Sequence, residues 1–215
     1  MTLIEPSWDQ ARSAAAALGK LGPIEKLPIS QLLGRTLSVD AMALVQLPTH
    51  ETSAMDGYVV AGSGPWKLIG EIKAGAPFKG SLKAGEALGI ATGAVIPDGA
   101  YGVLRWENAK VEGDLISGET TERKDFRPAG QEAELNEVLI RKGTVLNLGM
   151  VGLIAAAGYD EIDVAVKPTV GLLLLGDEIQ LSGLPKDGYV RDSLGPQIPG
   201  WFEKLGCEVV HIEYV

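Results

Sequence analysis

Asp56 and Gly57 sit inside the run Pro48 to Val60, P-T-H-E-T-S-A-M-D-G-Y-V-V, with small residues Ser53 and Ala54 before the acid and Tyr58-Val59-Val60 after it. Asp-Gly is a turn signal and the residues that follow are β-prone, so the spacing predicts a carboxylate at a loop-to-strand corner. The plainer reading is a hairpin turn with a solvated aspartate. A second stretch, Ile90 to Pro97 (I-A-T-G-A-V-I-P), ends an expected strand in Thr92-Gly93. A hydroxyl and accessible backbone N–H groups at a turn make a suitable lining for an oxyanion such as phosphate. An ordinary strand-end turn closed by Pro97 is the alternative. Further on, the apolar run Val170 to Leu175 leads into Gly176-Asp177-Glu178, and open α/β sheets place ligand chemistry at such strand ends. No Ser-His-Asp or Cys-His nucleophile, zinc spacing or Walker loop is apparent. His50 and His211 read as surface or strand residues, and Trp66, Trp106 and Trp201 as core.

Several elements must position these groups. Residues 7–19, S-W-D-Q-A-R-S-A-A-A-A-L-G, predict an alanine-rich helix with Ser7 as N-cap and Gly19 at C′. A short helical segment around Ile29 to Leu33 follows the breaker Pro28. From Leu47 to about Glu137, Tyr58–Ala61, Trp66–Ile72, Ala87–Ala91 and Gly102–Trp106 are the expected strands of a compact antiparallel β domain or partial barrel. Asn147 to Gly158 reads as a helix whose Gly149 and Gly152 permit close packing, Ile162–Val166 as a strand, and Lys167-Pro168 as a boundary. The last stretch starts an α/β domain: a strand, a helix over about Gln197–Leu205 with Ser193 as N-cap and Pro196 in the first turn, then a strand over Glu208–Tyr214.

Composition limits the partners. The 215 residues exceed one typical domain, and 46% hydrophobic with 6% aromatic content describes a globular protein. A net charge of −9, without a basic cluster, argues against nucleic-acid binding. The single cysteine, Cys207, excludes an intramolecular disulfide and suits a reducing cytosol. Met1 to Ser7 lacks a signal-peptide pattern and the apolar runs are too short to span a bilayer, so a cytoplasmic protein is expected.

Ser53-Ala54-Met55-Asp56-Gly57-Tyr58 resembles the S-A-M-D-G-Y signature of the molybdopterin molybdenumtransferase family, MoeA in bacteria and the C-terminal part of gephyrin in animals. Gly34-Arg35-Thr36-Leu37 resembles the G-R-x-L stretch ahead of it, with Arg35 read as a surface or dimer-interface residue. Thr92-Gly93-Ala94 with Pro97 is similar to T-G-A-x-x-P. Arg127-Pro128-Ala129-Gly130-Gln131-Glu132 resembles R-x-x-G-E-D, with Gln131 in place of the first acid. Gly176-Asp177-Glu178 keeps the acids of S-T-G-D-E but not its hydroxyls. Asp192-Ser193 keeps part of G-x-I-x-D-[ST]-N, with Leu194 in place of the asparagine.

The resemblance covers about the first half of a full-length family member. It implies insertion of molybdate into adenylated molybdopterin with release of AMP. Asp56, Thr92 and Glu178 would be catalytic, and Gly93, Gly176, Asp177, Asp192 and Ser193 would bind substrate. Asp56, Glu132 and Glu178 would hold Mg²⁺. It further implies a homodimer and a multi-domain α+β fold: an elongated mixed α/β dimerisation domain (1–46 and 138–168), an inserted antiparallel β domain (47–137), and the start of a three-layer α/β molybdopterin-binding-like domain (169–215). The family's G-G-V-S-x-G motif and fourth domain do not occur before Val215, so an expression fragment or a shortened relative is expected. The altered Gly176-Asp177-Glu178 turn, Gln131 and Leu194 leave open a non-catalytic dimeric binding or scaffold relative, or a carrier that holds molybdopterin without turnover.

Overall fold

The computed structural model describes residues 5–19 and 22–215; the reading of the first residues, Met1 to Ile4, lies outside them. The chain divides into two compact units. One holds residues 1–41, 140–152 and 160–215, the other residues 42–139 and 153–159.

The second unit is built on a six-stranded sheet of β1 (Gly57–Val60), β2 (Trp66–Ile72), β3 (Glu86–Ile90), β4 (Gly102–Arg105), β5 (Lys110–Glu112) and β6 (Leu115–Ser117). Their spatial order is β4-β1-β3-β2-β6-β5. Every pair is antiparallel except β2 with β3, which correct the wholly antiparallel expectation by running parallel. A parallel pair needs a crossover of about a dozen residues, and residues 73–85 supply one. Val59 and Ala61 pack with Ile72, Leu88, Ile90 and Val103 on one side of the sheet. Val60 packs with Trp66, Ala87, Leu104 and Ile116 on the other. Burial on both faces is why Tyr58 to Ala61 reads as an unbroken apolar run rather than an alternating one.

Gly57 opens β1 opposite Ile90 and Arg105. Its neighbours leave no room for a side chain, since a Cβ there would lie 2.3 Å from the Leu104 carbonyl oxygen. Beside it, Arg105 Nε and Nη2 each donate to Asp125 at 2.8 Å. The Asp125 side chain is only 12% exposed, and the Arg105 bonds hold its carboxyl below the ordinary value. A lowered folded-state pKa contributes stability above the unfolded value and loses it as pH falls through the folded one. Thermal melts should therefore show an acid-side loss below about pH 4 that Asp125→Asn flattens, while that substitution costs about 1–2 kcal/mol at neutral pH. A pH profile identical in the two proteins would remove Asp125 from the acid response.

In the first unit, helix α1 (Trp8–Ala17) starts with a reciprocal cap: Gln10 N–H donates to Ser7 Oγ at 3.3 Å and Ser7 N–H to Gln10 Oε1 at 2.9 Å. Strands Ile24–Pro28 and Glu161–Ala165 pair antiparallel. Arg35 is not a surface residue: its side chain is 11% exposed and its guanidinium bonds Glu25 and the Ala165 carbonyl, bracing that ladder. Strands Thr169–Leu174 and Glu208–Tyr214 pair parallel around an intervening helix, as the α/β reading expected.

Three further expectations are corrected. Helix α2 (Leu148–Ala156) forms, but a Cβ on Gly152 would meet nothing within 4 Å among the described residues, so close packing against them is not what the glycine serves. Helix α3 (Ile198–Lys204) has Gln197 as N-cap and Pro199 in its first turn, displacing the Ser193 and Pro196 assignments. Trp66 is core, at 3% exposed, whereas Trp106 and Trp201 are 56% and 60% exposed. No helix among the described residues is long and apolar enough to cross a membrane.

Candidate functional site

The antiparallel register of β1 and β3 places the start of one strand beside the end of the other, with Gly57 opposite Ile90. Asp56 and Thr92 flank that pair and meet. Thr92 N–H donates to Asp56 Oδ1 at 2.7 Å, and Thr92 Oγ1 bonds the same oxygen at 3.1 Å. Asp56 and Thr92 are both exposed, and Asp56 Oδ2 has no hydrogen-bond partner among the described residues. The corner thus presents one fixed carboxylate with an unpartnered second oxygen, and the Thr92 hydroxyl and N–H and the Gly93 N–H expected to line an oxyanion site are instead spent on Asp56 and Ser53. The sequence reading expected these two residues in one site, and the register brings them together.

Backbone bonds pin the corner. The short strand Thr52–Ser53 lies between the Thr92–Ile96 loop and strand Phe126–Arg127. Ser53 N–H donates to Ala94 O at 2.9 Å, Gly93 N–H to Ser53 O at 2.8 Å, and Ile96 N–H to Glu51 O at 3.0 Å. Phe126 and Arg127 pair with Ser53 and Thr52 on the other side, and Ala54 N–H donates to Asp125 O at 2.8 Å. The buried Ser53 hydroxyl donates to Met55 O at 2.6 Å and so shapes the bend that carries Asp56. Gly93 adopts φ +81°, which fits a glycine in this turn. Because the Thr92 N–H bond survives removal of the hydroxyl, Thr92→Val should cost no more than about 1 kcal/mol in a thermal melt. A much larger loss would make the hydroxyl a structural anchor instead.

Glu132 belongs to the same unit. Its N–H donates to Leu47 O at 2.8 Å, and Gly130 N–H donates to Pro48 O at 3.0 Å, so the Arg127–Glu132 loop is tied to the segment leading into Asp56. The Glu132 side chain turns to Arg127, at 3.7 Å, and makes no bond to Asp56. Three stretches far apart in sequence therefore converge at one corner.

The remaining predicted residues lie in the other unit. Gly176 follows strand Thr169–Leu174 with φ +152°, and a Cβ there would approach Glu178 Oε2 to 2.9 Å. Asp177 and Glu178 are exposed. The parallel pair Ile179–Gln180 and Val190–Arg191 ties this turn to the stretch that leads into Asp192. Asp192 Oδ1 accepts from Gly195 N–H at 2.9 Å and Leu194 N–H at 3.0 Å, and Oδ2 accepts from Tyr214 at 3.2 Å. The Gly195 N–H comes first among the causes that hold its carboxyl below the ordinary value. Asp192 is thus engaged in shaping its own turn, whereas the Ser193 hydroxyl makes no bond within the described residues.

Among the described residues, no three His, Cys, Asp or Glu side chains gather where a metal could be held. Mg²⁺ can be bound by one or two carboxylates with water and substrate phosphates. The donors fit that limited role at Asp56, through its free oxygen, and not a cage built by this chain; Glu132 is already engaged with Arg127.

Residues 6–158 match the family model described as the MoeA N-terminal region, domains I and II. The chain belongs to this family. The molybdopterin molybdenumtransferase of Staphylococcus aureus is 30% identical over 200 residues, an alignment covering 87% of this chain and 48% of that protein. That of Staphylococcus epidermidis is 29% identical, covering 84% and 46%. The chain therefore spans about half the length of these relatives. A crystal structure of the molybdopterin biosynthesis moeA protein from Pyrococcus horikoshii OT3 superposes with a TM-score of 0.80 at 27% identity, covering 91% of this chain and 56% of that one. The family match contains the whole Asp56, Thr92 and Glu132 corner; Gly176 to Glu178 and Asp192-Ser193 lie beyond it.

Sequence reasoning missed Arg105 and Asp125. Neither belongs to a quoted motif, and the pair is visible only once Arg105 is placed opposite Gly57.

Proposed function

We propose that this chain supplies a carboxylate corner for molybdenum cofactor biosynthesis, acting in the insertion of molybdate into adenylated molybdopterin with release of AMP. The observation that carries the reading is the double donation from Thr92 to one oxygen of Asp56. It fixes the carboxylate and leaves its second oxygen unpartnered. Membership of the MoeA N-terminal family and the names of the Staphylococcus relatives support the choice of substrate.

In this reading Asp56 orients the reacting group or takes its proton, Thr92 holds that carboxylate in place, and the Gly93 turn lies beside the substrate. Asp56 would hold Mg²⁺ through its unpartnered oxygen, and the ion would offset phosphate charge. Glu178, Gly176, Asp177, Asp192 and Ser193 contribute substrate contacts, Glu132 steadies the loop beside Asp56, and the protein acts in the cytoplasm as a homodimer. The three-domain division (1–46 with 138–168, 47–137, and 169–215) is part of the same proposal.

The test is AMP release from adenylated molybdopterin by the purified chain with Mg²⁺ and molybdate, beside a full-length family enzyme. Release that requires molybdate is the expected result. If the control turns over while this chain neither releases AMP nor binds adenylated molybdopterin, the reading is overturned.

A further inference from the structure

A cleft of about 1050 Å³ opens at the end of the six-stranded sheet away from Asp56. Asp56 precedes the first residue of β1, whereas the cleft wall begins at Gly62, after its last. Four residues of strand separate them, roughly 13 Å. The Gly62 end of the cleft is thus separate from the corner described above, while Lys124 in its wall adjoins Asp125, whose carbonyl accepts from Ala54 N–H.

Its shape is fixed by backbone pressed on backbone. A Cβ on Gly102 would lie 2.4 Å from Thr121 O, and one on Gly118 would lie 2.6 Å from Asn108 O. Two of the polar groups in its wall are already engaged: Trp66 Nε1 donates to Gly62 O at 3.0 Å and Thr120 Oγ1 to Val103 O at 2.8 Å. The rest are free. Ser63, Ser117, Thr121 and Asn108 line the cleft without a side-chain hydrogen bond among the described residues. Lys110 and Lys124 line it too, and neither forms an ion pair there, although Lys26, Lys67 and Lys73 elsewhere do. In a chain of net charge −9, two unpaired ammonium groups over one cleft are a local reversal of sign. Glu119 shares the lining. With it, the cleft matches a ligand that carries an anionic group for the lysines and hydroxyl donors for the glutamate.

We propose that this cleft is a second ligand site that binds a small hydroxylated phosphate ester, its phosphate between Lys110 and Lys124 and its hydroxyls toward Glu119 and the free Ser, Thr and Asn groups. Ammonium-to-phosphate hydrogen bonds supply the charge recognition, and the neutral groups bond the ester's hydroxyls. The volume is ample for a molecule of sugar-phosphate size.

The experiment is calorimetric titration of this chain with ribose 5-phosphate at low salt, with inorganic phosphate and ribose as separate arms. Saturable binding of the ester, tighter than either arm alone, is expected. The exposed pair Lys110→Met and Lys124→Met together should weaken it at least about tenfold without shifting the melting temperature. Lys67→Met, at an ion pair outside the cleft, and Asp56→Asn should leave it unchanged. No saturation up to about 10 mM, equal affinity for inorganic phosphate alone, or an affinity unmoved by the double substitution would overturn the proposal. Loss of binding in Asp56→Asn would place the ester at the other site.

Discussion

Under the proposed function, Asp56→Asn is expected to lower molybdate-dependent AMP release by about 100- to 1000-fold while leaving the fold intact. The asparagine side-chain oxygen can still accept both Thr92 bonds, the N–H at 2.7 Å and the hydroxyl at 3.1 Å. The corner therefore keeps its geometry. What is lost is the negative charge and the unpartnered, proton-accepting oxygen. Far-UV circular dichroism and melting temperature should match the unsubstituted protein, so that the kinetic change can be assigned to chemistry. Turnover within a factor of about two would remove Asp56 from the reacting centre.

Gly57→Ala should have the opposite profile, a loss of stability of about 3 kcal/mol or more. The cause is steric and local. The added methyl would sit 2.3 Å from Leu104 O and 3.0 Å from Arg105 Cα, both backbone atoms of a neighbouring strand that cannot rotate away. Relief requires β1 and β4 to separate, which loosens a core containing Val60, Leu104 and Ile116. Gly152→Ala is the matched control. It lies inside α2 with nothing within 4 Å of the new Cβ, and should stabilise the chain by up to about 1 kcal/mol. Equal melting temperatures for the two variants would show that the close approach at Gly57 carries no energy.

Much of this arrangement was legible from residue patterns, and the exceptions have physical reasons. Trp66–Ile72 and Glu208–Tyr214 form as strands over the expected limits. The Asp-Gly corner was legible because turn chemistry is local. Strand direction is not local, and the parallel pairing of β2 with β3 depends on where residues 73–85 pass rather than on their composition. Strands β5 and β6 are three residues each, too short to show a period around Gly113. Arg35 was misjudged because its burial depends on Glu25 and Ala165, the latter 130 residues away. Trp106 and Trp201 follow the ordinary tendency of large apolar residues only in sequence; their neighbours leave them exposed.

The candidate site divides in the same way. Each stretch was visible by itself, and the resemblance joined them. The ladder and loop bonds among Leu47 to Asp56, Thr92 to Ile96 and Phe126 to Glu132 are the physical form of that connection. At Asp192 the carboxylate bonds the Leu194 and Gly195 amides and the Tyr214 hydroxyl, contacts that no motif spacing foretold.

The most direct measurement of the central claim is a titration of the ¹⁵N-labelled chain with adenylated molybdopterin, read by backbone amide shifts. The Thr92, Gly93 and Gly57 amides should move first and furthest, and the Asp56→Asn variant should show the same resonances with a reduced response. Saturable binding that leaves those three amides unmoved would contradict the account and place the substrate elsewhere on the molecule.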